Sequence, residues 1–359
     1  MPHAAIAAQR LDNQFVTGAN GGGPANVVSR LGAVQAQEYP FAKWALALRM
    51  RVGTTDAEIE RAFDEGRILR THVLRPTWHF VTATDIRWLL ELTGPKVHRA
   101  MSYYNRQLEL DATTLNRGIK VLEGTLRDGQ HMTRAELAAQ LERARIIAKG
   151  QRLARLVMHA ELEGVICSGP RRGKLFTYAL LAERAPAAHI LSHDEALSEL
   201  TRRYFRSHGP ATIRDFNWWS GLPTAEIKRG LEMNKARHVE IDGLKYWTIG
   251  RTSRASARQK KVHLLPIYDE FFVAYRDREA VPHGPMTITS KTRGEVMFQH
   301  ALVIDGQVAG TWKSVRNPNG LTLNVFPLRR LTATERRGIA DAVARYARFL
   351  EVPVSLSGA

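Results

Sequence analysis

Apolar residues between His131 and Leu180 change their spacing from helical to alternating. In HMTRAELAAQLERARI (His131 to Ile146), Thr133 precedes Glu136 by three residues, the signature of a capping box, and Leu137 and Leu141 follow at i, i+4. RLARLVMHAELEG then sets Leu153, Leu156, Val157 and Leu162 on a helix that Gly164 stops. VICSG, the basic turn PRRGK and LFTYAL complete the stretch as a β-hairpin. Helix, turn, helix and a hairpin with a cationic tip is the outline of a winged helix. Its second helix would enter a major groove and its wing would touch backbone phosphates.

The outline recurs. GPATIRDFNWWSGLPTAEIKRGLEM (Gly209 to Met233) places Thr212 before one short helix and Pro223-Thr224 at the start of another, and HVEIDGLKYWTI alternates around Asp242-Gly243, a two-residue hairpin turn. The N-terminal third reads the same way: a helix to Ala36, a helix from Phe41, a helix over DAEIERAFDEGR, and the strand-like ILRTHVLRPTWHFVTA ahead of TATDIRWLLELTG. From about Lys261 the pattern turns β-rich with Gly turns, and TATERRGIADAVARYARFLEV closes it as an amphipathic helix. The expected fold class is α+β: three tandem winged-helix units (residues 1–105, 106–190 and 191–258) and a C-terminal β-rich domain (259–359), barrel-like or a curved sheet, with a terminal helix.

Composition narrows the function. Of 359 residues, 52 are Lys or Arg and 35 are acidic, a formal charge of +17 that favours a polyanionic partner, nucleic acid first. Solubility alone is the bland alternative. The single cysteine, Cys167, can form no internal disulfide, and no Cys/His spacing, HExxH, P-loop or dinucleotide fingerprint supports a metal or nucleotide cofactor. No cofactor is therefore expected. With no signal-peptide pattern and no apolar run of membrane-spanning length, the chain is expected to be cytoplasmic, nucleoid-associated, off the membrane and monomeric. GRTSRASARQKK (Gly250 to Lys261) reads as a linker or a phosphate-contacting strap.

LGAVQAQEYPFAKWAL (Leu31 to Leu46) carries two neutral amides, Gln35 and Gln37, in an otherwise core-like stretch. On a continuous helix they would point to opposite sides; in an extended segment they face the same way. Pro40 biases Tyr39 away from the helical region, so the helix should end near the pair, where the amides could converge or simply cap. THVLRPTWHF in the same unit adds His72, Arg75 and His79, either as phosphate clamp, donor and proton shuttle or as core-strand residues.

LGAVQAQEYPFAKWALALR, THVLRPTWHFVTATDIRWLLELTG and LPIYDEFFVAYRDR together resemble the AlkZ/YcaQ-like DNA glycosylases, bacterial proteins of tandem winged helices and a β-rich domain, over essentially the whole chain. The resemblance implies excision of bulky or crosslinking alkyl adducts on guanine N7, in repair or in self-resistance to a DNA-alkylating natural product. It makes Gln35-Ala36-Gln37 the catalytic Gln-x-Gln of the AlkZ branch, where the other branch has Gln-x-Asp. The chemistry is coherent with neutral residues. An N7-alkylated purine is cationic and leaves readily, so two amide oxygens need only position a water against an oxocarbenium-like sugar.

The proton would pass to a nearby group; Glu38, Asp269 and Glu270 are candidates beside His72 and His79. No Schiff-base lysine stands near the pair, and Lys43 is expected to be exposed or phosphate-facing, so hydrolysis without strand cleavage is expected. DNA contacts are expected from Arg75, from Arg171, Arg172 and Lys174 at the wing, from Arg251, Arg254, Arg258 and Lys260 in the basic segment, and less from Arg152 and Arg155. Trp218 and Trp219 read as core, and Ala274 to Glu295 is a candidate lesion-probing hairpin. The partner is double-stranded DNA carrying N7-alkylguanine. The alternative reading is a non-catalytic winged-helix DNA-binding regulator.

Overall fold

Gly32, at φ +87°, ends the second helix well before the glutamine pair. In the computed structural model, which describes residues 3–18, 21–250, 262–276 and 299–358, the chain opens with α1 (His3–Asn13) and α2 (Pro24–Leu31), then β1 (Val34–Gln35), α3 (Tyr39–Arg49) and α4 (Asp56–Asp64). The helix expected to run to Ala36 therefore stops at Leu31, because Gly32, free of a Cβ, takes the positive φ that redirects the chain into a strand. The strand-like run that follows folds on itself: β2 (Ile68–Val73) and β3 (Arg75–Thr82) make a hairpin at Leu74, whose φ is +63°. α5 (Ile86–Gln107) follows.

These strands pair antiparallel in the order β1-β3-β2, with Gln35 opposite His79 and His79 opposite Thr71. Strict alternation sorts the sheet into two faces. Val34, Phe80 and Ile68 enter one core; Leu69, Val73 and Val81 enter another.

Next come α6 (Ala112–Thr125), β4 (Met132–Thr133), α7 (Arg134–Arg143), α8 (Gly150–Leu162), β5 (Ile166–Ser168) and β6 (Thr177–Leu180), then the short α9 (Leu181–Arg184). Thr133 and Glu136 form the expected reciprocal capping box on α7. The strands order as β4-β6-β5, helices first and wing last. Leu122, Leu137, Leu141, Leu156 and Ile166 fill a core whose members all come from this stretch.

α10 (His193–Ser207), α11 (Ile213–Ser220) and α12 (Thr224–Met233) lead to the hairpin β7 (Arg237–Ile241) and β8 (Leu244–Thr248). Ser192 and Glu195 cap α10, and Thr212 and Asp215 cap α11, each as a capping box, and Asp242 and Gly243 both take positive φ in the two-residue turn.

The remaining elements are β9 (Val262–Leu265), α13 (Glu270–Val273), β10 (His300–Ile304), β11 (Gln307–Asn317), β12 (Gly320–Pro327), α14 (Ala333–Leu350) and β13 (Val354–Ser357). The sheet β13-β12-β11-β10-β9 is open, not a closed barrel, because its outer strands do not pair with each other. It packs on α3: Trp44 Nε1 donates to the Leu264 carbonyl at 2.8 Å, and Arg345 on α14 donates to the carbonyls of Ala47 and Leu48 at the end of α3. The first core accordingly joins Leu31, Trp44 and Phe80 to Leu302, Trp312 and Phe349. The class is α+β, as expected. Among the described residues no helix is long and apolar enough to cross a membrane.

Candidate active site

Gln35 lies in a strand, not at a helix end. It is 9% exposed, and its backbone N–H donates to Glu270 Oε1 at 2.8 Å. Glu270 is fully buried; its other oxygen accepts from Trp219 Nε1 at 2.9 Å and faces His208 Nε2 at 3.5 Å. Burial alone would raise this carboxyl, but the His208 contact, the Gln35 N–H and the charge of Arg75 outweigh it and hold the group down at about 2. Two N–H donors thus keep an anion beneath β1. Asp269 next door caps α13 through the Phe271 N–H and grips Arg49 with both oxygens, at 2.8 and 2.9 Å. Both carboxylates are fixed in the scaffold by these contacts.

Gln37 sits past the strand end, exposed, in a bend. It lines a cleft of about 430 Å³ together with His72, Trp78, Tyr104, Arg155 and Tyr178. The cleft runs between the first sheet and α8. His72 and Trp78 are cross-strand partners with rings 4.5 Å apart, and Arg70 lies 4.3 Å over the Trp78 ring while its Nε holds the Ala36 carbonyl at 2.9 Å. His72 Nδ1 meets Glu161 Oε2 of α8 at 2.5 Å, and Glu161 is fully buried. Arg155, also on α8, lies 5.2 Å over the Tyr104 ring. Glu38 is exposed at the N-cap of α3 and makes no side-chain cap bond.

His79 is fully buried, directly across from Gln35. Its Nδ1 donates to the Thr77 carbonyl at 2.9 Å, while Nε2 has no partner. Burial, with the Arg75 charge adding to it, lowers the ring to about 3, so it is neutral. Arg75 donates to the Val273 carbonyl at 3.2 Å and leaves Nε and one terminal nitrogen unpartnered.

A family model described as DNA glycosylase AlkZ-like matches residues 28–349. The chain belongs to that family. It is a DNA glycosylase, an enzyme of N-glycosyl bonds. An interstrand DNA cross-link repair glycosylase of Streptomyces sahachiroi is 24% identical to it over 367 residues, covering 98% of each chain. The solved structure of the Streptomyces sahachiroi DNA glycosylase AlkZ superposes with a TM-score of 0.80 at 22% identity, over 99% of this chain and 100% of that one, and shares its fold.

In this AlkZ-like chain the expected cations have unequal freedom. Arg171 is turned inward, its guanidinium 3.4 Å from Glu60, 2.6 Å from the Lys174 carbonyl and against the Tyr39 and Phe176 rings. Arg172 is exposed but paired with Glu136 at 2.7 Å. Lys174 is exposed and, among the described residues, unpaired. Lys43, expected to be exposed, is instead 4% exposed and held by Asp56 at 2.7 Å and Glu60 at 2.5 Å; a face of α3 that looked solvated is covered by α4. Arg152 holds the Ile147 and Leu108 carbonyls. Trp219 is core; Trp218 is half-exposed and donates to Val273. Arg251, Arg254, Arg258 and Lys260 lie outside the described residues, as does the candidate probing segment beyond Arg276. Sequence reasoning missed Glu161, the buried partner of His72, and read Arg155, which lines the cleft, only as a lesser DNA contact.

Proposed function

We propose that this enzyme hydrolyses the N-glycosidic bond of N7-alkylguanine in double-stranded DNA, bulky and crosslinking adducts included, in repair or in self-resistance to a DNA-alkylating natural product. The reading rests on one observation above others: Gln37 opens into an aromatic-lined cleft with His72, whose far nitrogen is fixed by a buried carboxylate. The cross-link repair name of the Streptomyces sahachiroi relative supports the lesion class. Gln35 and Gln37 orient the water, and the Glu270 contact sets where the first of them stands. Water oxygen attacks the sugar carbon as the bond to the cationic base breaks, and the bonding electrons leave with the base, neutralising it.

Glu161 accepts the Nδ1 proton of His72, which makes the other ring nitrogen the acceptor for the water proton. With no carboxylic acid among the described residues that line the cleft, activation of an unmodified purine is weak and the enzyme spares normal bases. With Lys43 sequestered by Asp56 and Glu60, no lysine among the described residues lines the cleft, which supports a monofunctional enzyme. It acts as a cytoplasmic, nucleoid-associated monomer whose winged-helix units (106–190 and 191–258) and first unit (1–105) dock on duplex DNA, the C-terminal part (259–359) bracing the first. The basic wing and segment supply the phosphate contacts.

The test is base release from duplex DNA carrying N7-methylguanine or a bulkier N7 adduct, with DNA binding measured in parallel. Gln37→Ala and Gln35→Ala are expected to lose about 10²-fold in rate with binding retained, and His72→Ala a smaller amount. A wild type that binds DNA and releases no base from any N7 adduct overturns the substrate assignment.

A further inference from the structure

α5 and α8 cross so closely at Gly94 that an added Cβ would stand 3.3 Å from the Leu162 carbonyl. One helical turn further along α5, His98 reaches the end of α8. Its Nε2 lies 2.9 Å from Glu163 Oε1, and its ring is 4.9 Å from that of His159 at 68°. His159 and Glu163 are four residues apart, on one face of the last turn. One donor atom from each of the three residues lies within 4.8 Å of the other two.

Two further observations point to a ligand here. His159 Nδ1 is buried and has no hydrogen-bond partner, an unusual state for an imidazole nitrogen in a folded protein, while His98 Nε2 faces only Glu163. The C-terminal carbonyls of α8 also face this end, which favours a cation. Beside the cluster, a cavity of about 230 Å³ reached by Glu91, Gly94, His98 and Glu163 has room for a water.

We propose that His98, His159 and Glu163 form a site for a zinc-type divalent transition metal. Two imidazoles and one carboxylate, with a water in the fourth position, is a tetrahedral zinc donor set; nitrogen donors argue against calcium or magnesium. The His98 and Glu163 donor atoms, 2.9 Å apart, already lie within the ~3.3 Å edge of a tetrahedron with bonds of about 2.0–2.1 Å, and small rotations of the His98 and His159 rings close the remaining separations to it. The metal clamps α8 to α5. Because α8 also carries Glu161 and Arg155, the clamp fixes the wall of the cleft that faces Gln37. Its role is positioning, away from the reacting atoms.

Untagged full-length protein, stripped with a chelator, is to be titrated with Co(II) and followed by its visible ligand-field bands, then with zinc by competition against a chromogenic chelator. One equivalent with tetrahedral-type bands is expected, with the bands lost in His98→Ala and His159→Ala and weakened in Glu163→Gln. Zinc should raise the melting temperature of the wild type and leave that of the His98→Ala/His159→Ala variant unmoved, with circular dichroism confirming that the variant folds. Absence of bands in the wild type, or their persistence in the double variant, overturns the site and leaves His98 and Glu163 as an ordinary ion pair.

Discussion

The second winged-helix unit and the sheet that carries the glutamine pair are built on opposite principles. The unit's core draws only on residues between Leu110 and Leu180. The sheet β1-β3-β2 has no core of its own: one face packs with α3, α14 and the C-terminal strands, the other with α5, α10 and α11. Its site contacts are correspondingly distant in sequence, Gln35 to Glu270, Arg49 to Asp269 and His72 to Glu161. Damage to the first construction should stay local; damage to the second should spread through most of the molecule.

Asp269→Ala attacks the shared construction most directly. It strands Arg49 in the interior beside Gln14 and the Ala45 carbonyl, at an expected cost of about 3–5 kcal/mol in urea unfolding. A cost below about 1 kcal/mol would mean that the two regions are coupled less than their contacts suggest. Acid should produce the next largest effect. His79 is lowered to about 3 in the fold, so as pH drops below the ordinary histidine range the unfolded chain takes up a proton that the native ring refuses, and stability falls. Glu270, held at about 2, adds a loss in the same direction below the ordinary carboxyl range, where the unfolded carboxyl protonates first. Unfolding midpoints measured across pH should fall from about 6.5 downward. His79→Gln should flatten the upper part of that slope.

Thr133→Ala tests the autonomous side. Loss of the capping box should cost about 1 kcal/mol, raising hydrogen exchange in α7 and leaving β1 and β3 unchanged. Faster exchange in β3 as well would erase the distinction. Lys174→Ala should be the mildest: stability within about 0.5 kcal/mol, with the salt dependence of DNA binding reduced by about 0.9 in slope, equally for damaged and undamaged duplex.

The same contrast explains what could be read from sequence. Thr133, Glu136, Leu137, Leu141 and the PRRGK turn declare the second unit because their partners lie within a few dozen residues. The Thr212 cap and the Asp242-Gly243 turn are legible for the same reason. Gln35 and Gln37 stood out by composition, but periodicity put Gln35 near a helix end; the strand depends on Gly32 and on pairing with His79. Glu161 looked like an ordinary polar residue on an amphipathic helix until the fold set it beneath His72. Lys43 looked solvent-facing because nothing local announced that Asp56 and Glu60 would close over it. Long-range burial, not local preference, decided each of these.

The clasp between the Gln35 backbone and Glu270 also bears on synthesis. A ribosome makes the second winged-helix unit early, and its self-contained core lets it collapse as it emerges. β1 has no anion beneath it until residue 270 is out of the exit tunnel, and the first core has no Tyr346 or Phe349 until α14 follows. The strand that carries Gln35 is therefore among the last parts of the molecule to reach its final surroundings.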